Sequence, residues 1–186
     1  MRADFYDLPP DLPVPVDDGA CAHLVGLALP ALRLSSTGGR LVDLHAAAAE
    51  RAVFFFYPRT GRPDEPAPIG WDAIPGARGC TPQSCGFRDL HAGLQARGAA
   101  IFGVSTQTTA FQQEVVARLQ LPYVLLSDAD FALTDALRLP TFTFAGMRLL
   151  RRMAWVCEDA RIVKVFYPVF PPNESAATVM HWLDAR

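Results

Sequence analysis

The sequence predicts an α/β layered fold, a central mixed β-sheet flanked by helices, and three observations carry that prediction. Residues 53–57 (VFFFY) and 99–105 (AAIFGVS) are largely apolar runs of strand length, the pattern of strands buried on both faces. Segments of helical period alternate with them, from Cys80 onward and again over 109–121. Towards the end, 152–159 and 161–167 read as a hairpin, which makes the sheet mixed rather than parallel throughout.

Residues 1–25 carry Pro9, Pro10, Pro13 and Pro15 and show no period, so they read as an extended N-terminal arm; a single domain over 26–186 follows. Within 27–44, alternation on either side of Thr37-Gly38-Gly39 predicts two short strands joined by a turn. Residues 46–52 favour a short helix, and 53–57 form the first buried strand. Then comes 58–79, where Pro58, Pro63, Pro66, Pro68 and Pro75 alternate with glycines and exclude a regular element. A loop this long inside one domain is more often functional than idle, and Trp71 and Ile74 are expected to pin it to the body.

From Cys80 the pattern turns helical, with Cys85, Phe87, Leu90 and Leu94 on one broad face and Gly98 as the stop. A strand over 99–105, a helix over 109–121, a strand over 123–128 and a short helix over 130–139 come next. The hairpin and a last helix over 174–186, capped by Asn173, complete the chain. This order of strands and helices is thioredoxin-like.

Composition narrows the function classes. Of 186 residues, 51% are hydrophobic and 19% charged, which indicates a globular chain with a sizeable core. The formal charge is −2 with no basic run, which gives no footing for nucleic acid or an anionic membrane as partner. No apolar stretch approaches the roughly 18 residues that span a bilayer. The acidic, proline-bearing N-terminus does not resemble a secretory leader, so a cytoplasmic setting is expected. Thiols there stay reduced, and Cys21, Cys80, Cys85 and Cys157 read as reactive or buried thiols rather than a disulfide framework. Metal is the weaker reading, because no histidine lies at ligand spacing from the one close pair.

That pair is Cys80 and Cys85. A cysteine opening a helix meets unpaired backbone N–H groups and the positive end of the macrodipole, which favour the nucleophilic thiolate. A lone cysteine in that place reads more readily as a small buried residue. The second cysteine changes the balance. In an intact helix two residues five apart have Cα atoms about 8.6 Å from each other, beyond the usual 4.4–6.8 Å for a disulfide. The two can join only if the first turns unwind, which suits a bond that forms and breaks in catalysis.

The segment GCTPQSCGFRDL, from Gly79, resembles the active-site sequence of Q-type peroxiredoxins, also called bacterioferritin-comigratory proteins. The similarity continues in order over about residues 25–186, through GLALPALRLSSTGGRLVDL, VFFFYP, IFGVSTQ and LPYVLLSDADFALTDALRL. The resemblance implies a thiol-dependent peroxidase on the peroxiredoxin version of the thioredoxin fold, acting on hydrogen peroxide or an organic hydroperoxide. It implies that Cys80 is the peroxidatic cysteine, oxidised to a sulfenic acid, and that Cys85 resolves it as an intramolecular disulfide. Thioredoxin or a similar dithiol would reduce that disulfide; no cofactor or metal is implied, and the chain is expected to act as a monomer. It further implies an arginine near the thiolate, for which Arg152, in the run Arg152-Met153-Ala154-Trp155, has the right register, whereas Arg151 points to the opposite face and Arg148 lies further off.

One part of the family pattern is missing. The motif Pro-x-x-x-Thr-x-x-Cys would require proline and threonine where this chain has Ala73 and Ala77 before Cys80, or Arg78 and Pro82 before Cys85. If 59–79 is an insertion, Pro58 is the motif proline and Thr60 the residue whose hydroxyl serves the site, with Thr81 as second candidate; Pro58 and Gly79 are then expected to border the substrate. Losing a charge-directed hydrogen bond without replacement costs about 1.5–3 kcal/mol. Two other readings remain: a protein disulfide oxidoreductase, which normally spaces its cysteines Cys-x-x-Cys, and a non-enzymatic redox sensor or binding module. Cys157 reads as an inert core thiol, Cys21 as a spectator, and Trp71 as packing rather than a lid.

Overall fold

Strand pairing along the chain produces a seven-stranded sheet in the computed structural model, which describes residues 8–186. The strands are β1 (Arg33–Ser36), β2 (Leu41–Asp43), β3 (Arg51–Phe56), β4 (Ala99–Ser105), β5 (Val124–Ser127), β6 (Thr141–Phe144), β7 (Met147–Leu150), β8 (Met153–Glu158) and β9 (Arg161–Phe166). The helices are α1 (Leu44–Ala47), α2 (Cys80–Asp89), α3 (His91–Ala96), α4 (Thr109–Leu119), α5 (Ala132–Ala136) and α6 (Ser175–Asp184). The sheet runs β2-β1-β5-β4-β3-β8-β9. β3, β4 and β5 are parallel at its centre, and antiparallel strands close both sides.

β3 explains why the sheet is two-faced. Phe54 and Phe56 point into one apolar cluster with Trp155, Leu126 and Leu133, while Val53, Phe55 and Tyr57 point into another with Phe87, Val115 and Val179. A strand covered on both faces has no polar positions to alternate, hence the unbroken VFFFY. Burying each phenylalanine contributes about 1.5–3 kcal/mol. α1 and α5 supply Leu44 and Leu133 to the first cluster, joined by Leu137 just after α5; α2, α4 and α6 supply Phe87, Leu119 and Leu183 to the second. The expected mixed sheet flanked by helices is the observed architecture.

The elements differ from expectation in several places. α1 begins earlier than the alanine run, because Asp43 caps it by accepting the Ala46 N–H at 3.1 Å. It also ends earlier, because Arg51 and Ala52 are taken into β3 opposite Ala99 and Ala100. The expected helix after Cys80 is two helices, broken at Leu90. Phe87 and Leu94, seven apart, face the same cluster on either side of the break, so the apolar period hides it. Asn173 does not cap α6; it lies in a 3-10 turn over Pro172–Glu174, entered from Pro171. The β6–β7 hairpin was not anticipated, and the 58–79 segment, expected to hold no regular element, carries a 3-10 turn at Trp71–Ala73.

The arm is only partly an arm. Residues 1–7 lie outside the described part, so that stretch of the expected arm is not placed. Further on, Leu24 is fully buried and Cys21 nearly so, both in the first apolar cluster, so core packing begins before the expected boundary at residue 25. An isolated bridge from Ala28 to Arg161 covers part of β9. Among the described residues no helix is long and apolar enough to cross a membrane.

Candidate active site

The site is built at the seam between the long loop and α2. Gly79 precedes the helix with φ +103°, a backbone state that disfavours a side chain. Space argues the same way, since a Cβ there would collide with Pro172 and come within 2.9 Å of Leu8 Cδ2. This turn places Cys80 as the first residue of α2, where helix N–H groups lack intrahelical partners. The side chain is buried, 4% exposed.

Arg152, just ahead of β8, is equally buried and reaches this sulfur: its Nη2 lies 3.2 Å from Cys80 Sγ. The same guanidinium donates to the carbonyls of Gly76, Ala77 and Arg78 at 3.1–3.2 Å, and through Nη1 to Gln83 Oε1. One planar fork therefore fixes the loop end, the helix and the sulfur together. The Cys80 thiol also sits 3.7 Å from the Ala77 carbonyl, a contact that only the protonated form can donate. The arginine bond is the one a thiolate keeps and strengthens. Arg148 is committed elsewhere, paired with Asp135 at 2.8 Å and stacked over Phe131.

Gln83 is a residue that sequence reasoning missed. It is fully buried one turn after Cys80, accepting from Arg152 and donating to Ser175 Oγ at 3.3 Å. A polar residue three positions after the cysteine, on the face that the helix buries, was the available signal.

A cavity of about 170 Å³ opens beside Cys80, lined among others by Thr60, Trp71, Arg78, Gly79 and Thr81. Of the two hydroxyl candidates, Thr60 is buried with its Oγ1 donating to Gln107 Oε1 at 3.1 Å, and Thr81 is buried on the first turn of α2. Gln107 also accepts the Thr60 N–H and donates to the Thr60 carbonyl, so the start of the long loop is clamped to the end of β4. The hydroxyl expected to swing towards the sulfur thus gives its proton to an amide instead. Pro58, expected to border the substrate, is buried but is not part of the cavity wall. Trp71 does line the cavity and also packs on the unanticipated hairpin, 5.2 Å from Phe144 and 6.2 Å from Phe142 between ring centroids.

Cys85 is half-buried in the second turn of the same intact α2 and is a free thiol, as are the other three cysteines. Burial raises its pKa above the ordinary 9.0. Cys21 and Cys157 are pushed up to about 12 by burial. Cys21 lies 3.8 Å from Met153 Sδ, inside the core rather than at a surface.

The redoxin family model matches residues 24–180. The chain belongs to the redoxin family. Its relatives include a putative peroxiredoxin bcp of Coxiella burnetii, 28% identical over 106 residues that make up 57% of this chain and 60% of that protein. The chloroplastic peroxiredoxin Q of Arabidopsis thaliana is 27% identical over 161 residues, 86% of this chain and 67% of that one. The matches thus span three-fifths to two-thirds of these relatives' lengths. Among solved structures, the bacterioferritin comigratory protein of Xanthomonas campestris, described with an alkyl peroxide reduction activity, superposes with a TM-score of 0.67 at 26% identity, covering 86% of this chain and 96% of that one. Within the redoxin family, these relatives are Q-type or bcp peroxiredoxins, and the fold is theirs.

Proposed function

We propose that this redoxin is a thiol-dependent peroxidase that reduces hydrogen peroxide or organic hydroperoxides at Cys80. The observation that carries the reading is the buried Arg152 guanidinium 3.2 Å from a cysteine sulfur at a helix N-terminus, beside an open cavity. The Cys80 thiolate attacks one peroxide oxygen; the O–O bond breaks, an S–O bond forms, and the departing oxygen takes a proton to leave as water or an alcohol. Arg152 holds the thiolate and the negative charge that builds on the oxygens. Thr60, whose proton goes to Gln107, keeps lone pairs able to accept the O–H of the entering peroxide, and Thr81 completes the wall on the helix side.

Cys85 then attacks the sulfenic sulfur. An S–S bond forms, the S–O bond breaks, and water leaves with the thiol proton. On an intact α2 the two Cα atoms are about 8.6 Å apart, so the helix unwinds for this step. A dithiol such as thioredoxin returns both thiols. Every group named comes from one chain, so a monomer suffices, and a reducing setting such as the cytoplasm suits four free thiols. The Xanthomonas protein's alkyl peroxide activity supports an organic hydroperoxide among the substrates.

A disulfide oxidoreductase, or a non-catalytic binding module, gives no reason to bury an arginine against a buried thiol. Competition with horseradish peroxidase for hydrogen peroxide tests the proposal. A rate constant orders of magnitude above that of free cysteine is expected; one no faster, or insulin reduction in its place, sinks it.

A further inference from the structure

Tyr123, immediately before β5, donates its phenol hydrogen to the Ser84 carbonyl at 2.7 Å. Ser84 lies between the two cysteines, and in an intact helix its carbonyl also accepts the N–H of Arg88. The tyrosine ring belongs to the scaffold: it is buried and stands edge-on to Phe55 with centroids 5.7 Å apart. Burial holds the phenol well above its ordinary pKa, so it remains a donor. The Ser84 hydroxyl, by contrast, is buried with no hydrogen-bond partner among the described residues, which weakens this turn of the helix. Gln83, in the same stretch, is held by its side chain to Arg152 and Ser175 Oγ, whereas the tie from Arg88 Nη1 to the Leu119 carbonyl at 3.0 Å lies beyond Cys85.

We propose that Tyr123 is a positioning residue, a latch that sets how long the helix between Cys80 and Cys85 stays wound after the peroxide has reacted. The consequence rests on the peroxidase reading. While α2 is wound, the sulfenic acid at Cys80 cannot be resolved and stands open to a second peroxide, which would add another oxygen to give a sulfinic acid and release a second water or alcohol. The latch therefore divides the sulfenic acid between disulfide and over-oxidation without touching the first step.

Tyr123→Phe keeps the ring and removes the bond. In the reduced variant, amide hydrogen exchange over residues 81–88 is expected to quicken roughly five-fold, the scale of one lost hydrogen bond, while β3 and β4 exchange as before. In rapid mixing with peroxide, the concentration-dependent phase is expected to be unchanged, the following concentration-independent phase to be faster by a similar factor, and sulfinic acid at a fixed peroxide excess to fall. Unchanged exchange over α2, an unchanged or slower second phase, or equal loosening of β3 and β4 overturns the latch. The exchange comparison needs no peroxide; a chain with no peroxide-dependent phase contradicts the peroxidase reading, while exchange still decides whether Tyr123 holds the helix.

Discussion

Arg152 and Cys80, 72 positions apart, meet with Nη2 at 3.2 Å from Sγ. β8 pairs with β3 in antiparallel register, Met153 opposite Phe56, so the residue just before β8 arrives where β3 ends and the active-site loop begins. The guanidinium is then held by three loop carbonyls and Gln83, which leaves it one orientation. The sheet register, not the loop, thus decides which arginine comes within reach of the sulfur.

Arg152→Lys keeps the charge but not the fork, and leaves loop carbonyls unpaired. Its second-order rate constant with hydrogen peroxide is expected to fall by about one to two orders of magnitude, the worth of a charge-directed hydrogen bond of about 1.5–3 kcal/mol. Urea unfolding is expected to show lost stability as well. Near-native rates in stopped-flow would mean that the contact is structural only.

Thr60→Val removes the hydroxyl from the cavity wall while keeping its shape. The peroxide rate constant is expected to drop by about ten-fold, roughly 1.4 kcal/mol, with Thr60→Ser close to wild type. If valine is as fast as threonine, Thr60 merely anchors the loop to Gln107, and Thr81 becomes the hydroxyl to replace next.

Access, more than burial, separates the four thiols: Cys80 is buried but borders the open cavity and Cys85 is half-buried, whereas Cys21 and Cys157 lie inside the core. Cys21 and Cys157, both pushed to about 12, are expected to resist iodoacetamide at pH 7.5 in the folded protein, whereas Cys80 and Cys85 are alkylated. In urea all four react. Labelling of Cys157 in the native protein would show that the core opens more readily than its packing implies.

The step that uses Cys85 is expected to quicken with pH. Its folded-state pKa is raised above 9.0 by burial, so the wound helix favours the protonated thiol. The folded form then binds more protons than the unwound one, and its advantage, full below pH 9, is lost as pH rises through the raised value. Higher pH thus favours both unwinding and the attacking thiolate. A disulfide-forming phase that is flat between pH 7 and 9.5 would contradict this.

Much of this was legible in the residues. The apolar runs placed β3 and β4, the cysteine after Gly79 opened a helix, and the family resemblance pointed to Arg152, with period-2 alternation setting Arg151 aside. Other features are tertiary. Whether Thr60 turns to the sulfur or to Gln107 depends on the end of β4, 47 positions away. The β6–β7 hairpin did leave a mark, since alternating TFTF and MRLL flank Ala145-Gly146, both at positive φ, but its role in backing Trp71 appears only once the rings are placed. The burial of Cys21 and Leu24 was hidden by the prolines before them, which made the whole segment read as an arm.

Mass spectrometry of the protein after one equivalent of peroxide tests the central claim most directly. A single disulfide between Cys80 and Cys85, read as the loss of two hydrogens on the one peptide that carries both, is expected, with Cys85→Ser trapping a sulfenic acid on Cys80 and Cys80→Ser remaining unoxidised. Recovery of that peptide with both cysteines still as free thiols, or of oxidation that survives Cys80→Ser, would contradict it.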